Sequence, residues 1–351
     1  MGIVGKIWAW LKWPVGVGFL IGLYIQNREN LGDVMTRDKH WGLLAAAFFL
    51  CLASTLCTFV RWYLLVRAQK FDFRVSDSIR LGFVGLLFNY VGPGAAGGDL
   101  FKAFILARRQ QSRRTVAVAT VLLDRILGLL ALFAVGAIAT LLHPPLPDVP
   151  ELRITTWLLW TGTAAGVVGF GMMLTPAITH HALVRKLEHL PLVGRPFGEL
   201  LHGVEMYQSQ KGLLGASLLL SLAGHIGLIG GFYLCSLAMQ PQVPSLLTHY
   251  YFMPVAELFS VLIPTPGGIG ALEGAIQRFY VSLMNGVLPA AQAAAAGFVA
   301  AMAFRAVQLL VAGIGAIYYM ISRDEISAAI SAAESAPSTT EPNSAAESAA
   351  A

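Results

Sequence analysis

The sequence predicts an all-α polytopic membrane protein with about six full spans and two re-entrant, Gly/Pro-broken hairpins in an inverted-repeat arrangement. Three observations support this fold class. Of the 351 residues, 56% are hydrophobic and 12% are charged, where an ordinary globular protein has roughly 25% charged residues. Several apolar stretches are about as long as a bilayer-spanning helix. Two further apolar stretches are each interrupted by glycine and proline.

Uninterrupted apolar stretches define the predicted full spans. A helix needs about 20 apolar residues to cross the hydrocarbon core. One stretch, residues 13–27, is shorter than this and resembles a signal peptide. Because no small-residue cleavage site follows it, we interpret it as an uncleaved first span. The other five predicted spans are residues 41–60, 115–142, 155–175, 212–239 and 290–322.

The two interrupted stretches, residues 78–98 and 247–274, cannot be continuous helices, because glycine and proline break them near their centres. Lysine and arginine are abundant on both sides of the first stretch, in segments 61–80 and 102–114, and such charges are typical of cytoplasmic segments. A segment with cytoplasmic charge on both flanks enters and leaves by the same face, so we interpret it as a re-entrant hairpin. The second is expected to enter from the opposite face, because segment 240–250 has no charge. Two simple loops are the alternative.

The distribution of charge divides the chain into two regions. All 24 Lys and Arg residues lie in residues 1–323, whereas residues 324–351 hold acids and no base. We therefore predict a transmembrane domain over 1–323 and a disordered acidic Ala/Ser-rich tail over 324–351. The loop charges predict a multi-pass protein of the cytoplasmic (inner) membrane with both termini in the cytoplasm and a surface helix within 176–211. Because the bases lie between apolar spans, we expect no nucleic-acid partner.

Motifs for cofactors and metals are weak in this chain. Residues 92–97 match the pattern G-x-G-x-x-G, but a dinucleotide site needs a preceding β-strand, and here the preceding run has the length of a helix. The histidines and the three cysteines show no metal-ligand spacing. We predict no cofactor, no metal and no catalytic residue, and we interpret His225 as a packing residue.

The two interrupted turns are the predicted headgroup site. A glycine turn that opens a helix exposes backbone N–H groups, and a helix N-terminus attracts anions. Asp99 is expected to cap the helix that returns from the first turn. Glycines that only allow tight helix packing are the alternative. The candidate headgroup-binding residues are Asn89, Gly94, Gly97, Gly98, Asp99, Lys102, Pro266, Gly267, Gly268, Gly270 and Glu273.

Ionisable side chains within apolar spans are costly, so they indicate functional sites or ion pairs that stabilise the bundle. Asp124 and Arg125 are adjacent, point about 100° apart on a helix and therefore each need a partner on another helix. We predict that Asp124 pairs with Arg61, at the end of the second span, or with Arg305. The predicted intramembrane charge network consists of Arg61, Asp124, Arg125, Glu257 and Arg305.

Several short motifs follow one another along the chain. They are Arg61-Trp62-Tyr63, Asn89 with Pro93, Gly97-Gly98-Asp99, Lys102-Ala103, Asp124-Arg125 with Gly128, and Pro264-Thr265-Pro266-Gly267-Gly268-Ile269-Gly270 with Glu273. In this order they resemble the lysylphosphatidylglycerol synthase transmembrane-region family, over roughly residues 10–322. This membrane region forms part of the bacterial multiple peptide resistance factor and also occurs as stand-alone proteins. The chain departs from the family pattern by inserting Tyr90-Val91-Gly92 between the Asn and the Pro, and by having Lys102 where Arg is common.

The resemblance implies a membrane protein that flips a phospholipid or a polyprenyl-phosphate-linked lipid between leaflets. In full-length family members a separate soluble domain performs aminoacyl transfer, and the tail after residue 323 leaves no room for one, so we do not expect an enzyme. Two alternatives stay open: a membrane enzyme acting on a lipid phosphate, with Asp99, Asp124 or Glu273 as general base, and an accessory subunit of a lipid-modifying or glycosyl-transferring enzyme. Membrane lipids are the expected partners, and a homo-oligomer is compatible with the sequence.

Overall fold

The computed structural model describes residues 14, 17–18, 20–29, 38–91, 97–110, 113–142, 150–181, 194–263 and 265–321. Within these residues the regular structure is helical and contains no strand. The helices are α1 (Trp41–Ala68), α2 (Val75–Val91), α3 (Gly97–Arg109), α4 (Arg114–Leu142), α5 (Pro150–Leu174), α6 (Pro176–Thr179), α7 (Gly194–Gln208), α8 (Lys211–Met239), α9 (Leu246–Leu262), α10 (Ala271–Leu283) and α11 (Ala290–Ile321). A 3₁₀ turn (Pro266–Gly268) lies between α9 and α10.

Five of these helices, α1, α4, α5, α8 and α11, are long and apolar enough to cross a membrane. They coincide with five of the six predicted full spans, which confirms the prediction of a multi-pass helical membrane protein. The remaining predicted span, residues 13–27, falls partly outside the described residues, and its part from residue 20 onward is helical. The predicted tail 324–351 and the centre of the first interrupted stretch, residues 92–96, lie outside the described residues.

The structure has a pair of short antiparallel helices at each interrupted stretch, named here the first hairpin (α2 and α3) and the second hairpin (α9 and α10). In each pair the second helix extends beyond the predicted stretch, to Arg109 in α3 and to Leu283 in α10. In the first hairpin, Phe88 stacks on Phe101, with ring centres 4.9 Å apart. In the second, the rings of Phe252 and Phe279 are 5.3 Å apart. In both cases, residues at similar distances from the turn face each other. The arms also match in length, because α2 and α9 have 17 residues each and α3 and α10 have 13 each.

The described helices repeat one order of elements twice: a long helix, a hairpin and a second long helix. The first half consists of α1, the first hairpin and α4, and the second half consists of α8, the second hairpin and α11. The halves interlock, because α1 packs along α8, α2 packs against α11, and α9 packs against α4. Each hairpin thus contacts the last long helix of the other half.

Small residues make the contact between α1 and α8 close. A Cβ atom on Gly231 would lie 2.5 Å from the Sγ atom of Cys51, and one on Gly227 would lie 2.3 Å from the Oγ atom of Ser54. Lipid tails are as apolar as the side chains, so helices associate in a bilayer mainly through such close packing. The glycines of α8 therefore stabilise the interface between the two halves.

Two buried bases that we counted among the loop charges lie inside helices. Helix α1 continues past the predicted end of its span, from residue 60 to Ala68, and so includes Arg61. Lys102 lies in α3. Both side chains are buried, because each contacts an acidic partner instead of solvent. Their assignment to loops was wrong. Arg80 also lies inside a helix, in the second turn of α2, whereas the remaining bases of segments 61–80 and 102–114 lie at helix ends or between helices.

Candidate functional site

Gly98 brings the two arms of the first hairpin together. Its backbone N–H donates a hydrogen bond to the side-chain oxygen of Asn89, with an N···O distance of 2.8 Å. A Cβ atom at this position would lie 1.9 Å from the carbonyl oxygen of Gly85, so a side chain does not fit. Asn89 therefore satisfies one of the free N–H groups at the start of α3. Gly97 is the first residue of that helix, and Gly94 lies outside the described residues.

Asp99 forms ion pairs with cations of two helices. Helix α3 begins at Gly97, so Asp99 is its third residue, and the residues before Gly97, where a cap would form, lie outside the described part of the chain. The carboxylate pairs with Arg125 of α4, and the Nζ atom of Lys102 lies 3.1 Å from its Oδ1 atom. The same ammonium group lies 5.2 Å from the ring centre of Trp62, within reach of a cation–π interaction. One acid is therefore shared by two cations.

The second turn depends on glycine geometry. Gly267, Gly268 and Gly270 all have positive φ angles, of 59°, 67° and 86°, which side chains rarely tolerate. Pro266 is the first residue of the 3₁₀ turn. A Cβ atom on Gly267 would lie 2.5 Å from the ring of Tyr90. Tyr90 lies near the C-terminus of α2, so the turn of the second hairpin contacts the first hairpin near the end of that helix.

Glu273 and Arg305 hold the second turn in place. Glu273 accepts a hydrogen bond from the N–H of Gly270 at 2.7 Å and a second one from the Nε of Arg305, also at 2.7 Å. The Nη1 atom of Arg305 donates to the carbonyl oxygen of Gly267 at 2.8 Å. Both side chains are almost fully buried. A carboxylate of the chain itself therefore occupies the N-terminus of α10, where a headgroup was expected.

Asp124 pairs with Arg61, one of the two partners that the sequence suggested. The Nε of Arg61 lies 2.7 Å from the Oδ1 of Asp124, and both side chains are buried. The Nη1 atom of Arg61 also donates to the Oγ of Ser221 on α8, at 2.6 Å. Sequence reasoning missed Ser221, since a serine in an apolar helix carries no signal of its own. The other suggested partner, Arg305, is bound to Glu273.

The two halves place an acid and an arginine in matching positions. Asp99 is the third residue of α3, and Glu273 is the third residue of α10. Each acid pairs with an arginine of the following long helix, Arg125 on α4 and Arg305 on α11. The side chain of Arg125 is 47% exposed, whereas that of Arg305 is 5% exposed. The pair in the second half is therefore sealed, and the pair in the first half is accessible.

A cavity of about 360 Å³ lies between the hairpins and the long helices. The half-exposed side chain of Arg125 contributes to its wall, and the buried Arg61, Asp124 and Arg305 adjoin it. Charged groups and non-helical turns at membrane depth are tolerated where they line such a cavity. The polar residues that line it include Asn89, Lys102, Arg125, His225, Glu257 and Gln308.

Glu257 lies beside a histidine, which the predicted intramembrane charge network did not include. The Nδ1 of His225 on α8 lies 3.9 Å from the Oε2 of Glu257 on α9. His225, which we interpreted as a packing residue, lines the cavity. Only the packing of α8 on α9 brings the two side chains together, and each residue type alone in an apolar helix gives no indication of its partner.

Within the described part of the chain, no group of three or more His, Cys, Asp or Glu side chains could hold a metal ion. The cysteines Cys51, Cys57 and Cys235 have free thiols, and the first and last of these are buried. The chemistry that the described residues bring to the cavity is therefore that of paired charges and one carboxyl–imidazole pair.

Comparison with known proteins relates this arrangement to a family. Residues 13–315 match the family described as lysylphosphatidylglycerol synthase TM region. A search of curated proteins found no match. The matched region includes both hairpins and nearly all of the five long helices, so the family indicated by the motifs is confirmed. The protein is thus a multi-pass membrane protein related to lipid handling. This chain belongs to the lysylphosphatidylglycerol synthase TM region family.

Proposed function

We propose that the protein moves a phospholipid or a polyprenyl-phosphate-linked lipid between the leaflets of the cytoplasmic membrane. The observation that carries this proposal is the charged cavity between the two hairpins, with Arg125 in its wall, inside a bundle of helices of membrane-spanning length. A headgroup needs a polar path through the hydrocarbon core, while its acyl chains can stay in the bilayer. A site between two halves built on broken helices is typical of transporters, whose halves rock around it.

In this proposal the hairpins are re-entrant and dip into the membrane from opposite faces. Arms of 17 and 13 residues are about 25 and 20 Å long, which is less than the roughly 30 Å of the hydrocarbon core. Basic residues flank the first hairpin on both sides, whereas residues 240–250, which lead into the first arm of the second hairpin, carry no charge. The positive-inside rule then assigns the first hairpin to the cytoplasmic face and both termini to the cytoplasm.

Arg125 is the group that we assign to the headgroup phosphate. Guanidinium groups bind phosphates through two parallel hydrogen bonds, and this one is half exposed. Asp99 holds Arg125 in the absence of lipid, and Lys102 supplies a second cation. Because Arg61 and Arg305 are sealed against their own acids, we assign them to the stability of the bundle.

Leaflet exchange of a fluorescent phosphatidylglycerol in reconstituted vesicles tests this function. Replacing Arg125 with glutamine removes the proposed phosphate ligand. A charged hydrogen bond contributes about 1.5–3 kcal/mol, so we expect the exchange rate to fall by about tenfold or more. Arg278→Gln is the matched control, since Arg278 is exposed and pairs with Glu151 away from the cavity. Absence of wild-type exchange of both this lipid and a fluorescent polyprenyl phosphate would refute the function, and wild-type exchange by Arg125→Gln would refute the assigned ligand.

One observation favours an enzyme as the second candidate. The Oε1 atom of Glu257 is buried in the wall of the cavity and, within the described residues, has no hydrogen-bond partner. Such a carboxylate could serve as general base in a transfer reaction on a lipid phosphate, performed alone or with a partner enzyme. Mass spectrometry of the lipids from the same vesicles separates the two functions, because translocation returns the lipid unchanged and transfer produces a new one.

A further inference from the structure

His225 and Glu257 face each other without the close contact that the neighbouring ion pairs make. Their Nδ1···Oε2 distance is 3.9 Å, compared with 2.7 Å between Arg305 and Glu273. Among the described residues, the Nδ1 of His225 and the Oε1 of Glu257 are buried atoms that have no hydrogen-bond partner. A buried polar atom without a partner is costly, so these two atoms call for a further ligand.

A single proton fits between these two side chains. A neutral imidazole ring whose proton lies on Nε2 presents Nδ1 as an acceptor. When Glu257 is ionised, its Oε2 atom is an acceptor as well, so neither of the two facing atoms can donate a hydrogen bond to the other. One added proton, on either group, converts them into a donor and an acceptor.

The other charged groups near the pair come from every surrounding element and already have partners. The cations are Arg61 on α1, Lys102 on α3, Arg125 on α4 and Arg305 on α11, and the acids that pair with them are Asp99 on α3, Asp124 on α4 and Glu273 on α10. Further titratable groups near the cavity are the thiol of Cys51 on α1 and the phenol of Tyr90 on α2. Glu151 on α5 and Arg278 on α10 pair with each other away from it.

The charge balance of this set depends on the proton. With Glu257 ionised and His225 neutral, four cations face four acids. With one proton added to the pair, the cavity carries one positive charge in excess, whichever of the two groups holds it. An anionic phosphate beside Arg125 would neutralise that excess, and an uncompensated charge at membrane depth is costly. The proton and the phosphate should therefore stabilise each other.

We propose that His225 and Glu257 form a proton-binding site in the cavity, and that a proton bound there favours binding of an anionic headgroup beside Arg125. The coupling to headgroup binding rests on the proposed lipid translocation, whereas the proton-binding site does not. Because coupling between two binding sites is reciprocal, headgroup binding also strengthens proton binding. The site couples lipid movement to the proton concentration of the surrounding solution.

The pH dependence of leaflet exchange tests the coupling. Exchange of fluorescent phosphatidylglycerol by the wild-type protein should rise towards low pH, by about fivefold or more, across about pH 8 to 5, where histidine-containing pairs exchange protons. Glu257→Gln, which is neutral at every pH, should exchange lipid at a rate that no longer depends on pH in this range. Glu205→Gln is the matched control. Glu205 lies on α7, outside the cavity, and its Oε1 atom lies 3.1 Å from the Nε2 atom of His180. It should keep the wild-type profile.

An infrared measurement tests the proton site without any lipid movement. Acidification of the wild-type protein should produce a band of the added proton, either the carbonyl band of a protonated Glu257 or the ring band of a protonated His225, in addition to the bands of the other carboxylates of the chain. This band should be missing in Glu257→Gln and present in Glu205→Gln. Identical acid-induced spectra of the wild-type protein and Glu257→Gln refute the proton site. A flat pH profile of wild-type exchange, or a wild-type profile in Glu257→Gln, refutes the coupling. If the wild-type protein exchanges no lipid but shows the Glu257-dependent band, the proposed function fails and the proton site stands.

Discussion

Replacing Arg305 with methionine leaves the carboxylate of Glu273 buried without its cation. Glu273 is 0% exposed and would keep one hydrogen bond, from the N–H of Gly270. The carbonyl oxygen of Gly267 would lose its donor as well. Removal of one partner of a buried ion pair costs about 3–5 kcal/mol. Since proteins are stable by about 5–15 kcal/mol, we expect Arg305→Met to lose a large part of the free energy of unfolding.

Titration with sodium dodecyl sulfate in mild detergent micelles, followed by tryptophan fluorescence, measures this loss. The double variant Arg305→Met with Glu273→Leu removes both charges, and it should recover about half or more of the lost stability, because an apolar pair replaces a buried ion pair with little cost. Arg278→Gln is the control for an exposed pair and should unfold like the wild-type protein. A single variant within about 1 kcal/mol of wild type, or a double variant no more stable than the single one, would refute the reasoning.

Two glycine substitutions test the close contacts of the helices in the same unfolding assay. Gly98→Ala should lose about 3 kcal/mol or more, because its Cβ would overlap the backbone oxygen of Gly85, at 1.9 Å, and no side-chain rotation relieves that overlap. Gly231→Ala should lose about 1 kcal/mol, because the atom it meets, the Sγ of Cys51 at 2.5 Å, belongs to a side chain that can move. Gly169→Ala is the control for both, since nothing lies within 4 Å of its Cβ position, and equal losses for all three variants would contradict the packing argument.

The long helices were predictable because hydrophobicity is a local property. Five stretches defined by composition alone, such as residues 115–142 and 212–239, coincide with helices of spanning length. The breaks between α2 and α3 and between α9 and α10 were equally clear, since glycine and proline act on the backbone where they stand. The end of α1 was missed, because its last turns carry Arg61 and Arg67 and look like a loop when no partner is known.

The candidate site was predictable only in its residue types. Charge within apolar spans pointed to Arg61, Asp124, Arg125, Glu257 and Arg305, and each of these adjoins the cavity. Their partners were not predictable with certainty, since charge alone left two possibilities for Asp124. The histidine beside Glu257 was missed for the same reason, because packing of two separate helices creates that contact.

The sequence by itself determined that this protein is a helical membrane protein, that two of its apolar stretches are broken, and to which family it belongs. These properties depend on hydropathy, on backbone geometry and on short motifs, all of which are local. Only the tertiary structure decided which charges are sealed and which are accessible. Arg305 and Arg125 occupy matching positions in the two halves, yet one is buried against Glu273 and the other lines the cavity. The physical reason is that the cost of a charge in a membrane depends on what surrounds it, and packing alone determines those surroundings.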